Sequence, residues 1–455
     1  MMLLLWKVCF LGILAPEILC HKVKYNGEQV FQVTPQTSEH VLQLQQLCGT
    51  WLLDLWKPPF LEDIHVGADV HVRVPVSLVQ EMKEKLLQYS IPFQVLIKDI
   101  QELIDNQNMK SHKRHSRSLA TYNYMVYHQM GEIYEWMTLI QKEYNNLVTK
   151  HYLGSTYELR KIFYLKIGEP SDRPKKIIWM DCGIHAREWI TPAYCQWFVK
   201  EILQNYNSDQ SIKKILQNMD FYIVPVLNID GYIYSWTTDR LWRKSRASYK
   251  NGTCYGTDLN RNFNAMWCSA GASNKCSNNT FCGTGPESEP ETKAVVSLVK
   301  RQKADILCYL TIHSYGQMIL QPYGYTINQS KNHEEMINVA KKAAAAIKKK
   351  YGTVYKIGTS HSLYMNSGSS CDWAADLGFN FSYTFELRDN GTYGFQLPEN
   401  QIQPTCEETM AGIMTIIDYI NEKNFKNNAM TIISASLWFN VLFSITCSTA
   451  YTLWY

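Results

Sequence analysis

The stretch DCGIHAREWITPAYC, Asp181 to Cys195, decides how this chain is read. It follows IIWM (177–180), an apolar run with β-branched residues that predicts a buried strand. His185 and Glu188 stand three positions apart on the loop leaving that strand. At that spacing one imidazole and one carboxylate can hold the same cation. A catalytic zinc needs three protein ligands and an open position for water. The third must come from elsewhere, and CYLTIHS (308–314) puts His313 at the end of a second apolar run. Neutral imidazole suits zinc. The pattern HxxE alone also arises by chance. Here each histidine ends an apolar run, and the chain carries the other charged groups such a site uses.

The first of these is Glu386, in FELRD (385–389). A buried carboxylate without a partner is costly. Beside zinc it can take a proton from water and hand it to a leaving amine. The competing reading is an ion pair with Arg388, which an extended strand would put on the same face. The others are Arg243 in RLWRKSR (240–246), and Asn260 and Arg261 in GTDLNRNFN (256–264). A guanidinium grips a carboxylate through two parallel hydrogen bonds, and a side-chain amide adds another. Near zinc, such groups would hold an anionic substrate end and stabilise an oxyanion. Taken singly, each would be an ordinary surface cation.

The 455 residues allow one large domain and a smaller one. At 46% hydrophobic and 19% charged the body is globular. A net charge of +4 gives no reason to expect a nucleic-acid partner. Residues 1–20 have one lysine and an apolar core of signal-peptide length. Export gives the 13 cysteines meaning, because disulfides persist in oxidising compartments. The uncharged apolar end MTIISASLWFNVLFSITCSTAYTLWY (430–455) follows the short residues of NNAM (427–430). This reads as a GPI signal, with a membrane span or a buried helix as alternatives. Residues 426–455 are therefore expected to tie the protein to the extracellular face of the plasma membrane, a soluble secreted form being the alternative.

Residues 21–105 alternate strand-like EQVFQV, WLLDLW, DVHVRV and PFQVLI with helix-like SEHVLQLQQLC and SLVQEMKEKLLQYS. That order predicts a small ferredoxin-like α+β unit. Residues 106–117 hold the basic part of NMKSHKRHSRSLA (108–120), either a plain linker or a site cut by a trypsin-like or furin-like protease near Arg117. From 118 to 425, KIIWMDCGIH, FYIVPVLNIDG, ADILCYLTIHS and FNFSYTFELRD alternate with helical segments, which predicts an α/β fold whose sheet is covered on both faces. AKKAAAAIKKK (340–350) reads as a solvated helix with a lysine face.

In order and spacing, HxxE, the distant IHSY, DLNRNF and FELRD resemble the zinc metallocarboxypeptidases of the pancreatic A/B type, and the likeness runs from about residue 22 to 425. It implies a mixed central sheet flanked by helices on both faces, an inhibitory prodomain, one Zn2+ per chain, and peptide or protein C-termini as substrate. By position it implies that His185, Glu188 and His313 bind zinc, that Glu386 is base and then acid, and that Arg243 polarises the scissile carbonyl. It implies that Asn260 and Arg261 hold the terminal carboxylate, with Arg187 along the groove, and that Tyr364 closes over the bound end. It also implies the disulfides Cys182–Cys195, Cys254–Cys276 and Cys268–Cys282. Sequence alone leaves 15 pairings of six cysteines open. Cys48, Cys308 and Cys406 read as buried thiols. The resemblance also implies that Cys371 stands at the floor of the pocket for the terminal side chain. The branch of the family most like this chain has a basic residue there and takes acidic ends. A neutral thiol supplies no counter-charge and predicts neutral, apolar or aromatic ends. An inactive binding protein on this fold and a zinc hydrolase of acyl-amino acids are the rival functions. Sequons at Asn251, Asn278, Asn328 and Asn390 are expected to be glycosylated, and Asn380 is expected to be too buried.

Overall fold

The structure is a computed structural model that describes residues 22–108, 118–362 and 364–426. The expected signal peptide, the cleavage site near Arg117 and the apolar tail lie outside the described residues. Among those residues no helix is long and apolar enough to cross a membrane.

The first unit runs β1 (Gln29–Val33), α1 (Ser38–Thr50), β2 (Asp54–Lys57), β3 (Val70–Val74), α2 (Val79–Gln88), β4 (Phe93–Ile97) and α3 (Ile100–Asn108). Its antiparallel sheet has the order β2-β3-β1-β4. Phe31, Val33, Val70, Val72 and Val74 pack against Leu44, Leu47, Met82 and Leu86 of the two helices. The expected strand WLLDLW forms only from Asp54, because α1 runs on to Thr50. Residues 106–108, expected in the linker, continue α3.

The second unit runs α4 (Met130–Glu143), β5 (Val148–Ser155), β6 (Lys161–Ile167), β7 (Lys176–Asp181), α5 (Ile190–Asn205), α6 (Gln210–Asn218), β8 (Met219–Val224), α7 (Ile229–Thr237), the short pair β9 (Ser248–Tyr249) and β10 (Cys254–Tyr255), α8 (Pro290–Arg301), β11 (Ile306–His313), β12 (Met318–Gln321), α9 (His333–Tyr351), β13 (Lys356–Thr359), α10 (Ser370–Asp376), β14 (Phe381–Glu386) and α11 (Ile402–Asn421). Eight of its strands form one mixed sheet in the order β13-β12-β14-β11-β7-β8-β6-β5. The central four, β14, β11, β7 and β8, are parallel. All six residues of β8 are buried, as are five of six in β7. Such strands read as continuous apolar runs because both faces are covered. In β14, Ser382 donates to the Cys371 carbonyl in α10, while Tyr383 donates to the Met336 carbonyl in α9. Successive side chains thus anchor helices on opposite faces.

Helix α9 carries its lysines outward, as expected, but it is not merely solvated. Met336, Val339, Ala340, Ala343 and Ile347 are buried. It lies antiparallel to α11, with Lys423 beside Glu335 at one end and Tyr351 bonded to Glu407 at the other.

Candidate active site

Parallel strands end together, so their last residues share one rim, where open α/β sheets place their sites. His313 and Glu386 are the last residues of β11 and β14 and are paired in register. One strand over, β7 ends at Asp181, and the loop to α5 carries His185, Arg187 and Glu188. The disulfide Cys182–Cys195 ties the start of that loop to α5. The disulfide Cys254–Cys276 closes the segment bearing Asn260 and Arg261, and Cys268–Cys282 overlaps it on the C-terminal side. Cys48, Cys308, Cys371 and Cys406 are free and buried.

His185, Glu188 and His313 each offer a ligand atom, all within 4.8 Å of one another and all three residues buried. His185 Nδ1 lies 2.7 Å from Glu188 Oε1 and 3.1 Å from His313 Nδ1. The far nitrogen, His185 Nε2, is 3.0 Å from Asp258 Oδ1. A carboxylate behind a ligating histidine fixes its ring and tautomer. Two imidazoles and one carboxylate are the donor set of a catalytic zinc, so the residues present fit that metal. Burial pushes Glu188 up, but His185 and His313 outweigh it and hold the carboxyl well below its ordinary range.

Glu386 stands across this cluster. Burial and the Glu188 charge push its carboxyl well above the ordinary value, against the pull of His185, Arg243 and Arg261. The competing ion pair with Arg388 does not form. The strand stops at Glu386, and Arg388 turns away to donate to Glu408 at 2.8 Å.

Asp258 is the residue the sequence reading missed. It is wholly buried, and its second oxygen accepts from Arg243 Nε at 3.1 Å and Nη2 at 2.9 Å. Burial raises it, but Arg243, His185 and Arg261 hold it well below the ordinary range. Its signal was its place two residues before Asn260, where it also caps the Asn260 amide at 3.0 Å.

Asn260 Oδ1 accepts from the Ser370 amide at 2.9 Å. Arg261 donates through Nε to the Gly271 carbonyl and through Nη1 to the Asn260 carbonyl, leaving Nη2 buried with no protein partner. Tyr364 and Arg261 line the same cavity as Glu386, His185, Glu188 and His313. Gly368, at φ +72°, lets this wall close, since a Cβ there would sit 2.2 Å from the Arg261 carbonyl. Cys371 is 1% exposed, with Ser382 Oγ 3.3 Å from its sulfur. Burial, then Asp372, pushes its thiol up to about 12, so it is uncharged. Asn251, Asn278, Asn328 and Asn390 are exposed. Asn380 is also exposed, contrary to expectation, because it precedes β14. It is Ser382 of that sequon that is buried.

The first unit sits over this rim. Trp56 packs 4.9 Å from the Phe395 ring and 6.3 Å from Tyr315, and His71 Nδ1 is 2.9 Å from Tyr315 Oη. Arg187 lies 3.5 Å from Asp54. Gln107, in α3, donates to the Leu397 carbonyl and accepts from Arg240. The cavity left between Trp56, Lys57 and Pro59 on one side and His185, Glu188 and His313 on the other is about 50 Å3, room for water but not for a peptide.

Sequence comparison agrees with this geometry. Residues 133–412 match the zinc carboxypeptidase family and residues 31–107 match the carboxypeptidase activation peptide. The chain belongs to the zinc carboxypeptidase family and is a metallocarboxypeptidase with an activation domain. Among its relatives, carboxypeptidase O of Homo sapiens is 64% identical over 329 residues, 72% of this chain and 88% of that one. Carboxypeptidase B2 of Bos taurus is 41% identical over 420 residues, 91% of this chain and 99% of that one. The crystal structure of thrombin activatable fibrinolysis inhibitor superposes with a TM-score of 0.81 at 41% identity, covering 88% of this chain and 100% of that one.

Proposed function

We propose that the protein is secreted as a zymogen. On this reading, removal of the activation domain frees a zinc exopeptidase that releases neutral residues from peptide and protein C-termini. His185, Glu188 and His313 hold the zinc, which when bound supplies Lewis acidity and lowers the pKa of water. Glu386 takes the proton from the attacking water and delivers it to the departing amine. Arg243, aligned by Asp258, stabilises the charge that develops on the carbonyl oxygen. Arg261 Nη2, the orphan donor, and the Asn260 amide clamp the terminal carboxylate, and Tyr364 closes over it. The observation that carries this reading is the buried trio of metal donors facing Glu386, with a partnerless guanidinium nitrogen on the same cavity.

The neutral preference rests on Cys371. Its uncharged thiol, beside the Ser382 hydroxyl, offers no counter-ion to an acidic or basic end. The likeness to carboxypeptidase O implies acidic ends instead. Turnover on matched peptides ending in Phe, Glu and Arg decides between them. Phe is expected to be released fastest, and a tenfold lead for Glu would overturn the pocket argument. The activating protease is trypsin-like or furin-like, cutting near Arg117. The apolar tail is the element that would hold the enzyme at the extracellular face of the plasma membrane through a GPI anchor. Release from cells by a phosphatidylinositol-specific phospholipase tests this, and retention would refute it.

A further inference from the structure

A second cavity, of about 360 Å3, lies between the two units and shares no residue with the catalytic one. From the activation domain it is lined by Lys22 and Lys24, ahead of β1, and by Asp105 in α3. From the catalytic unit it is lined by Trp189, by Trp236 in α7 and by Arg240. The Val23 amide donates to the Thr238 carbonyl at 2.8 Å, which closes the seam beside it. A cavity of this size takes a small organic molecule.

Its charge is one-sided. Three cations line it against one carboxylate, Asp105, which already accepts from Gln101 Nε2 at 2.8 Å. Lys22 and Lys24 are exposed, whereas Arg240 is buried. Arg240 donates through Nε to Gln107 Oε1 at 3.0 Å, through Nη1 to the Arg187 carbonyl at 2.8 Å and through Nη2 to the Phe395 carbonyl at 2.7 Å. All three acceptors are uncharged. Burial pushes its pKa down to about 9, so it is still a cation at neutral pH. A buried charge without a counter-charge is costly, and an anion in the cavity would relieve that cost. The Arg240 guanidinium lies 3.7 Å from the Trp189 ring centroid, and Trp189 stacks on Trp236 at 3.8 Å. The wall is thus two indoles ending in a cation. An aromatic ring bearing a carboxylate matches it, ring to indole and carboxylate to guanidinium and ammonium. Both units supply the walls, so it is the uncut precursor that offers this site.

We infer that this cavity binds a small aryl carboxylate, which bridges the two units of the precursor and holds the activation domain on the catalytic unit. The consequence for activity rests on the zymogen reading above. The ligand is neither substrate nor product, and its site is apart from the cleft where the peptide bond is cut.

The test uses the uncut, zinc-loaded precursor, with naphthalene-2-carboxylate as probe and 2-naphthamide as its uncharged counterpart. Calorimetry is expected to show the carboxylate binding about tenfold more tightly, as charge-assisted hydrogen bonds provide, with the advantage shrinking as salt is raised. Lys24→Glu should weaken the carboxylate and Asp105→Asn should tighten it. Both side chains are exposed and stand outside the catalytic machinery, and opposite shifts are not imitated by a general loss of folding. After the linker is cut, the probe at a hundred times its Kd should favour the docked state by about a hundredfold. Gel filtration reads this as activation domain retained on the catalytic unit. Equal affinity for acid and amide, or affinity unmoved by both substitutions, would overturn the site. Binding without retention would overturn the bridge. Full activity of the uncut chain without probe would instead refute the zymogen reading, so the two failures are distinguishable.

Discussion

Asp258→Asn separates positioning from metal binding, because one carboxylate serves both. Oδ1 holds His185 Nε2 at 3.0 Å and the Asn260 amide at 3.0 Å, while Oδ2 receives two donors from Arg243 at 2.9 and 3.1 Å. An asparagine can keep its oxygen toward His185 and Asn260. Its NH2 group would then face the two Arg243 donors, so both charge-assisted bonds are lost and donors oppose donors. Each such bond is worth about 1.5–3 kcal/mol, and partial relaxation leaves a net loss of about 3 kcal/mol at Arg243. If Arg243 acts on the developing oxyanion, kcat falls by about 100-fold, since about 1.4 kcal/mol corresponds to tenfold. KM should change little. Zinc affinity should weaken by about tenfold through the altered support of His185. The assay is steady-state hydrolysis by activated enzyme at saturating zinc, with metal affinity measured separately by competition with a chelator. A variant with wild-type kcat once loaded would refute the claim that Asp258 aligns Arg243.

Three further outcomes follow from the same geometry. Glu386→Gln should lower kcat by about 10²–10⁴-fold as a lost general base does, with zinc content unchanged; substantial retained turnover would exclude Glu386 as the base. Trp56→Ala removes the side chain packed on Phe395 and Tyr315, costs about 3 kcal/mol of docking, and should raise the activity of the uncut chain while leaving the activated enzyme as it was. Burial pushes Glu291 up to about 8. Its folded state therefore holds a proton that the unfolded chain releases near pH 4.5, and the stability present at pH 4.5 is lost as pH rises toward 8. Glu291→Gln should flatten that decline and be more stable than the parent at pH 8 by a few kcal/mol, read from denaturant midpoints. A variant less stable at pH 8 would contradict the assignment.

The parts of the fold legible in the sequence were those where burial is two-sided. Strands β7, β8, β11 and β14 write themselves as mostly apolar runs, and their ends carry His313, Glu386 and the loop with His185 and Glu188. Edge strands are harder to read. Strand β5 has only one buried residue, Val148, and carries Lys150, His151 and Tyr152 in succession, so no alternation marks it. Helix α3 was not read at all, and the unit boundary expected at 105 falls inside it, because the basic linker follows it directly. Asp258 escaped notice because a lone acid before Leu-Asn-Arg reads as a turn residue, and only folding brings His185 and Arg243 to it. Asp54 was illegible for a stronger reason, since its partners Arg187 and Asn279 lie more than 130 residues away on the other unit.

The central claim is that two imidazoles and one carboxylate hold a zinc ion that works with Glu386 on the last peptide bond of a chain. Trypsin-treated protein, analysed for bound metal and for amino acids freed from a defined peptide, tests this most directly. One zinc per chain and release of the terminal residue alone, abolished by chelation and restored by zinc, is the predicted result. Release of internal fragments, or full activity in metal-free protein, would contradict it.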